Sequence, residues 1–165
     1  MEEQFGQPIF SQQRVFMQQA LAQAKIAAKQ DEVPVGVVIV HNDQIIAKAY
    51  NQVELLKDPT AHAEMIAITQ ASNALACKWL YECVMYVTIE PCSMCAGAIV
   101  LARMKKVHFG ASDPKTGACG SVINITQNNQ LNHHVEVSGG VFEEECGGLM
   151  SHFFELKRKT KKSVQ

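Results

Sequence analysis

Two short motifs limit what this chain can fold into, because their side chains form a reactive site only if the fold brings them together. The first is His62-Ala63-Glu64, and the second, thirty residues after the histidine, is Pro91-Cys92-Ser93-Met94-Cys95. One imidazole and two thiolates are the three protein ligands of a catalytic zinc, whereas a closed structural zinc takes four. The motifs therefore predict a zinc ion bound by the histidine and both cysteines, with Glu64 beside it as the catalytic residue.

Each motif alone has a more common explanation. A lone Cys-x-x-Cys can be redox-active, and a histidine on an apolar helix face is more often a core residue than a ligand. A redox role would not require the histidine and Glu64, and a structural zinc would require a fourth ligand at similar spacing. Because both motifs occur together in this order, the sequence favours a catalytic site with His62, Cys92 and Cys95 as the metal ligands.

The spacing within each motif predicts how its side chains reach one pocket. Cys92 and Cys95 are three residues apart, so on a helix they share a face. Pro91 would place them in the first turn, where free N–H groups and the helix dipole lower the pKa of a thiol. His62 and Glu64 are two residues apart and would point to nearly opposite sides of a regular helix. Both can face the pocket only if His62 lies where the chain enters the helix.

His-x-Glu followed by Pro-Cys-x-x-Cys is similar to the signature of zinc-dependent nucleobase deaminases. Bound zinc lowers the pKa of water far below its free value of about 15.7. Glu64 could take that proton, pass it to a ring nitrogen and later protonate the departing ammonia, and such proton transfer typically contributes about 10²–10⁴ in rate. The predicted reaction is hydrolytic deamination by zinc-activated water, with Glu64 as the proton shuttle.

Apolar periodicity and turn residues predict one layered α/β domain with a partly parallel sheet, in which strands alternate with helices. The predicted helices cover residues 10–29, a segment that begins with Asp58 or Thr60 as N-cap and ends near residue 76, and residues 92–102 and 142–159. The predicted strands cover residues 33–40, 44–50, 83–89, 106–110 and 135–137, with a polar loop at 112–121.

Composition excludes several classes of protein. With 165 residues, 47% hydrophobic and 19% charged, the chain has the size and balance of one globular domain, spanning residues 1–165. Residues 1–9 hold two glutamates and no apolar run, so we expect no signal peptide. No stretch approaches the roughly 18 apolar residues of a membrane helix. We therefore expect a cytoplasmic protein with reduced cysteines, in which the following four are core residues or inert thiols: Cys77, Cys83, Cys119 and Cys146.

The C-terminal segment combines two aromatic residues with a basic run, although the net charge of the whole chain is only −1. Phe153 and Phe154 precede a basic segment that begins at about Lys157, and aromatic rings with nearby cations suit single-stranded nucleic acid. The alternative is that both rings pack in the core and the basic run is a solvated tail. For Phe153 the core is the more common outcome, which leaves Phe154 for the ligand. His133 and His134 stay open between an RNA contact and ordinary surface residues.

Longer stretches of the chain, from about residue 15 to 160, resemble the bacterial tRNA-specific adenosine deaminases of the cytidine deaminase-like superfamily. The segments that carry this resemblance are Asp31-Glu32-Val33-Pro34-Val35-Gly36, Asn51, and residues 58–64, 88–98, 108–121, 131–134 and 151–154. Ser112 stands where many relatives carry arginine.

The resemblance implies a three-layer α/β/α fold with a central mixed five-stranded sheet. It also implies conversion of adenosine to inosine at wobble position 34 of a tRNA anticodon, one zinc ion per subunit, and a homodimer. In that family Asn51 would hydrogen-bond the purine and the backbone around Val35 and Ala63 would line the base pocket. The loop that contains Asp113 and Lys115, and the end of the last helix with Phe154, would hold the flanking nucleotides.

Two other functions remain open from the sequence. One is a small-molecule deaminase that acts on guanine, cytosine or cytidine, which would have no use for a basic, aromatic C-terminal helix. The other is a zinc-binding or RNA-binding module without activity, which would bind metal but release no ammonia.

Overall fold

The structure, a computed structural model, describes residues 7–162, with side chains from residue 12 onward. Residues 1–6, which belong to the segment expected to lack a signal peptide, lie outside this part. The elements in chain order are α1 (Gln7–Lys29), β1 (Gly36–His41), β2 (Gln44–Tyr50), α2 (Val53–Leu56), α3 (Ala63–Leu75), β3 (Cys83–Ile89), α4 (Ser93–Leu101), β4 (Lys106–Ala111), β5 (Glu136–Gly139) and α5 (Glu143–Lys162).

The five strands form one mixed sheet in the order β2-β1-β3-β4-β5. Strand β1 is antiparallel to β2 and to β3, whereas β3, β4 and β5 are parallel. The β1–β2 hairpin turns at Asn42 and Asp43, whose φ angles of 48° and 59° are left-handed. Two left-handed residues suit a tight hairpin because their twist matches that of the flanking strands.

Helices cover both faces of the sheet and enclose two hydrophobic cores. Strand β1 shows the division, since Val37 and Ile39 belong to the core beneath α3 and α4, while Val38 and Val40 belong to the core beneath α1 and α5. This alternation follows from the two-residue period of a strand. Helix α1 lies so close to β1 that a Cβ on Gly36 would come within 2.0 Å of a backbone oxygen of α1. The expected three-layer α/β/α fold is confirmed.

Several element boundaries differ from the sequence prediction for local reasons. Strand β1 begins at Gly36 rather than at Val33, because the Val35 amide donates to the Val33 carbonyl at 2.8 Å and makes a tight turn there. Strand β5 lies slightly later than predicted, and α5 continues to Lys162, so the basic run is helical. Within residues 7–162, no helix combines the length and the apolar character that a membrane crossing requires.

The parallel strands direct the site to one edge of the sheet. Strands β3 and β4 are parallel, so their carboxyl ends, at Ile89 and Ala111, lie side by side in register. Helix α4 begins just beyond the end of β3. In open α/β sheets the crevice outside the carboxyl ends of the strands is the usual ligand-binding position.

Candidate active site

Three side chains from two helix starts converge at this edge. His62 Nδ1 lies 3.7 Å from Cys92 Sγ and 3.6 Å from Cys95 Sγ. Within the described part of the chain, these three residues are a group whose ligand atoms all lie within 4.8 Å of one another and could hold a metal ion. The fold therefore brings together the ligand set that the two motifs predict.

His62 reaches this group because it is the N-cap of α3. Its backbone is extended, with φ −71° and ψ 151°, so its side chain leaves the helical series that begins at Ala63. The predicted N-cap, Asp58 or Thr60, is wrong. The Asp58 carboxylate instead accepts hydrogen bonds from the Thr60 amide at 2.8 Å and the Thr60 hydroxyl at 2.7 Å. This local turn uses the Asp58 side chain before the helix begins.

The two cysteines occupy different positions at the start of α4 and differ in acidity. Cys92 is the N-cap and Cys95 lies in the first turn. A hydrogen bond from Cys95 is the largest cause that lowers the pKa of Cys92 to about 4, helped by His62. The same bond, together with burial, raises the pKa of Cys95. The helix start contributes to the lowered pKa of Cys92 only through a backbone hydrogen bond from Cys95, which is a smaller cause than the Cys95 and His62 side chains, and the pKa of Cys95 is not lowered.

Glu64 lies beneath the ligand group in the first turn of α3. The residue is 4% exposed, and its Oε2 has no hydrogen-bond partner among the described residues. Burial raises the pKa of this carboxyl to about 7. Buried polar atoms are nearly always paired in folded proteins, so an orphaned oxygen next to three metal-type ligands indicates a partner that is a water, an ion or a substrate. A carboxyl with a pKa near 7 can both take and give a proton at neutral pH.

His62, Glu64 and Cys92 form the floor of an open cleft of about 1590 Å³, while Cys95 is fully buried. The cleft includes most of the positions that the family resemblance implies for RNA: Val35, Asn51, Asp113, Lys115 and Phe154. The Ala63 side chain does not line it, because it is fully buried in the core between the sheet and α3, and the prediction for Ala63 concerns its backbone. The roles of these residues in binding remain predictions.

Helix α5 supplies one wall of the cleft. Phe153 is 9% exposed, whereas Phe154 is 43% exposed, and their ring centroids lie 5.4 Å apart with the rings nearly perpendicular. Lys157, Arg158 and Lys161 line the same wall. Lys157 is partly neutralised by an ion pair with Asp31, so Arg158 and Lys161 carry most of the positive charge of this α5 wall.

Two buried carboxylates that the sequence prediction gave no role organise the walls. Glu32 is 1% exposed and accepts hydrogen bonds from the Glu54 amide at 3.1 Å and the Leu55 amide at 2.7 Å. It thereby caps α2, a single turn too short to show any periodicity in the sequence. Glu90 is 3% exposed and accepts hydrogen bonds from the loop at 112–121. The nearest sequence signal for Glu90 was its position directly before the second motif.

The remaining singled-out residues lie elsewhere or stay open. His133 is half-buried, with Nε2 2.6 Å from the Met104 carbonyl oxygen, and His134 is exposed, with Nε2 3.1 Å from the Asn128 carbonyl oxygen. Ser112 is exposed on the cleft rim. All six cysteines have free thiols, and of the four outside the ligand group Cys83, Cys119 and Cys146 are buried, whereas Cys77 is exposed, so only the alternative of an inert thiol remains for it.

Comparisons with known proteins agree with this geometry. The sequence profile of the MafB19-like deaminases matches residues 10–154. A tRNA-specific adenosine deaminase of Bacillus subtilis (strain 168) is 48% identical over 155 residues, or 94% of this chain and 96% of that protein. One of Aquifex aeolicus (strain VF5) is 50% identical over 143 residues, or 87% and 94%. A structure from studies of A-to-I editing by tRNA:A34 deaminases at the wobble position is 40% identical, with a TM-score of 0.79, and covers 82% of this chain and 98% of that one.

Proposed function

This chain belongs to the MafB19-like deaminases and to the tRNA-specific adenosine deaminases, and from that membership we propose that it is an enzyme that deaminates adenosine to inosine at wobble position 34 of a tRNA anticodon. The observation that carries the proposal is the buried Glu64 carboxylate, which lies beside a nitrogen and two sulfurs at the floor of an open cleft whose α5 wall is basic.

The ligand group supports zinc as the cofactor, one ion per subunit. Zn–N bonds of about 2.0–2.1 Å and Zn–S bonds of about 2.3 Å in a tetrahedron place the nitrogen and a sulfur about 3.6 Å apart. The two observed separations, 3.7 Å and 3.6 Å, agree with that value. His62, Cys92 and Cys95 would hold the ion. When bound, zinc supplies Lewis acidity and lowers the pKa of a coordinated water.

Glu64 would move the protons of the reaction. Its buried carboxyl, with a pKa of about 7, can accept a proton from the attacking water and deliver one to the purine ring. It then takes the proton of the hydroxyl group that has been added to the ring and passes it to the amino group, which leaves as ammonia while the ring carbon becomes a carbonyl. Asn51, which is 5% exposed and lines the cleft, would hold the purine edge, and Val35 and the Ala63 backbone would bound the base. Asp113 and Lys115 on one side, and Phe154 on the other, would receive the flanking nucleotides.

The dimensions of the cleft favour RNA over a free base. Pockets for small molecules usually measure about 300–1,000 Å³, whereas this cleft measures about 1590 Å³. Its walls carry the exposed Phe154 ring and the cations Lys115, Arg158 and Lys161. A deaminase of free guanine, cytosine or cytidine would have no use for a basic, aromatic helix along the wall of its cleft.

One experiment separates the candidate functions. Purified, zinc-loaded protein is incubated with an anticodon stem-loop that carries adenosine at the wobble position, with the same stem-loop carrying guanosine there, and with free adenosine, cytidine and guanine. We expect ammonia and inosine from the adenosine stem-loop alone. Comparable turnover of a free base would reject the proposal in favour of a small-molecule deaminase, and bound zinc without any turnover would favour a non-catalytic module.

We also propose that the protein acts as a homodimer in the cytoplasm, where its tRNA substrate is found. The family resemblance is the main support for the dimer. Sedimentation equilibrium would measure the state directly, and a monomer at micromolar concentration would contradict it.

A further inference from the structure

Glu90 is a buried carboxylate that the proposed chemistry does not use. It follows β3 and directly precedes Pro91 and the ligand Cys92. Burying an ionised carboxylate is costly unless hydrogen bonds replace its lost hydration. Both oxygens of Glu90 are fully engaged, so the fold compensates this cost with a specific set of donors.

All of these donors come from the cleft loop, residues 112–121. Glu90 Oε1 accepts hydrogen bonds from the Cys119 amide at 3.0 Å and the Ser121 amide at 3.1 Å. Oε2 accepts one from the Asp113 amide at 3.0 Å and another from the Ser121 hydroxyl. Because Asp113 is the second residue of the cleft loop and Ser121 is its last, one carboxylate ties the two ends of the loop together.

The middle of the cleft loop lies against the same point. A Cβ on Gly117 would come within 2.5 Å of Glu90 Cδ and within 2.5 Å of the Asp113 carbonyl oxygen, so no larger residue fits there without a shift. Gly117 also forms an antiparallel bridge with Cys92, and the Ala118 amide donates to the Pro91 carbonyl at 2.8 Å. The cleft loop is thus laid directly on the motif that carries the metal ligands.

The outer part of the cleft loop depends on this anchor. The Asp113 carboxylate accepts hydrogen bonds from the Lys115 amide at 2.9 Å, the Thr116 amide at 3.2 Å and the Thr116 hydroxyl at 2.6 Å. Its own amide is held by Glu90. Lys115 and Thr116 are exposed on the cleft. A chain of hydrogen bonds therefore runs from Glu90 through Asp113 to the residues that face a ligand.

We propose that Glu90 is a positioning residue that holds the cleft loop in the conformation that receives the nucleotides next to the target adenosine, and that it thereby sets RNA affinity rather than the rate of the chemical step. The inference rests on the proposed function. It predicts that a change at Glu90 acts on KM and on Kd for the stem-loop, while zinc content and kcat change little.

The sharpest variant is Glu90→Gln, which keeps shape and volume but replaces one acceptor oxygen by an NH2 group. The amide would place its nitrogen where Oε2 was, because the Ser121 hydroxyl can rotate to accept from it, whereas the two amides at Oε1 cannot. The Asp113 amide then faces a donor and loses its acceptor. We expect faster hydrogen exchange at the Asp113 amide, measured by NMR in the absence of RNA, with the Cys119 and Ser121 amides little affected.

The kinetic readout uses the adenosine stem-loop with the zinc-loaded protein. For Glu90→Gln we expect KM to rise about tenfold, which corresponds to about 1.4 kcal/mol of binding free energy, with kcat within about threefold of the unchanged protein. Kd measured in a Glu64→Gln background should rise equally. Ser121→Ala removes only the hydroxyl donor and should raise Kd by about threefold. Glu82→Gln is the matched control, because this exposed carboxylate pairs with Lys105, away from the cleft.

The outcomes separate this inference from the proposed function. If the unchanged protein deaminates the stem-loop but neither Glu90→Gln nor Ser121→Ala alters KM or Kd, the positioning role is rejected and the function stands. A fall in kcat that parallels loss of zinc would also overturn it, because Glu90 would then hold the metal motif. If Glu90→Gln does not fold, Ser121→Ala decides. No turnover of the stem-loop by the unchanged protein would reject the function itself.

Discussion

Phe153 and Phe154 are adjacent in sequence, but the structure gives them opposite surroundings, which makes them a direct test of the RNA-binding wall. Phe153 is 9% exposed and Phe154 is 43% exposed, although both lie next to the cleft. Replacing each ring by alanine should therefore have a different effect. Phe153→Ala should affect folding stability, and Phe154→Ala should affect RNA affinity.

The expected magnitudes follow from these exposures. Deleting a buried phenylalanine ring costs about 3 kcal/mol or more, because the apolar contacts are lost and a cavity remains. A surface substitution usually changes stability by no more than about 0.5 kcal/mol, which we expect for Phe154→Ala. Stacking of a base on an aromatic side chain contributes about 1–3 kcal/mol. Phe154→Ala should therefore weaken stem-loop binding about 5- to 150-fold.

Two assays test this reasoning. Urea unfolding gives the free energy of unfolding of each variant, and fluorescence anisotropy gives its Kd for the adenosine stem-loop. Phe154→Tyr is the control, because it retains an aromatic face and should keep most of the affinity. If Phe154→Ala binds the stem-loop like the unchanged protein, Phe154 is not a stacking surface. If it destabilises the fold as much as Phe153→Ala, the ring is part of the core.

Three further outcomes follow from the site. Glu64→Gln should reduce ammonia release by about 10²–10⁴ while bound zinc, measured by atomic emission, stays stoichiometric; activity above a few per cent would reject the proton-transfer role. Cys92→Ser should lose zinc and activity together, and a chelator should abolish the activity of the unchanged protein until zinc is returned; full activity of metal-free protein would exclude a metal mechanism. If Lys115, Arg158 and Lys161 neutralise three phosphates, the logarithm of the binding constant should fall with the logarithm of salt concentration with a slope of about −2, at about −0.7 per phosphate of single-stranded RNA. A slope near zero would contradict a phosphate-binding wall.

The fold and the ligand group were predictable from the sequence because their signals are local. Strands β2 and β3 have the predicted bounds, since alternation and turn residues mark both ends. The ligand group follows from two motifs that occur together, because a redox or structural role would not explain both of them. Even the position of His62 at the start of a helix could be inferred, because otherwise it and Glu64 would point apart.

The walls of the cleft were not predictable in the same way. Glu32 accepts hydrogen bonds from residues more than twenty positions away in the sequence. The most distant donor to Glu90 is about thirty positions away. A hydrogen bond of that separation leaves no periodic pattern in the sequence. Helix α2 was missed for a related reason, because a single turn cannot show helical periodicity, and its stability comes from the Glu32 carboxylate at its start. The N-cap of α3 was misassigned because Asp58 satisfies a turn rather than the helix.

The charges of α5 follow two patterns, one along the helix axis and one on the face of the helix that lines the cleft. Glu143, Glu144 and Glu145 lie in its first turn, and basic residues lie in its last, an arrangement that the helix dipole favours at any position around the axis. The dipole alone would not place charge on one face. Arg158 and Lys161 are three residues apart on the cleft face, whereas Lys159 points elsewhere and pairs with Glu155 at 2.8 Å. The net charge of −1 for the chain therefore does not argue against an RNA substrate. A ligand at α5 meets the residues on the cleft face of this helix, and the net charge of the whole chain does not describe that face.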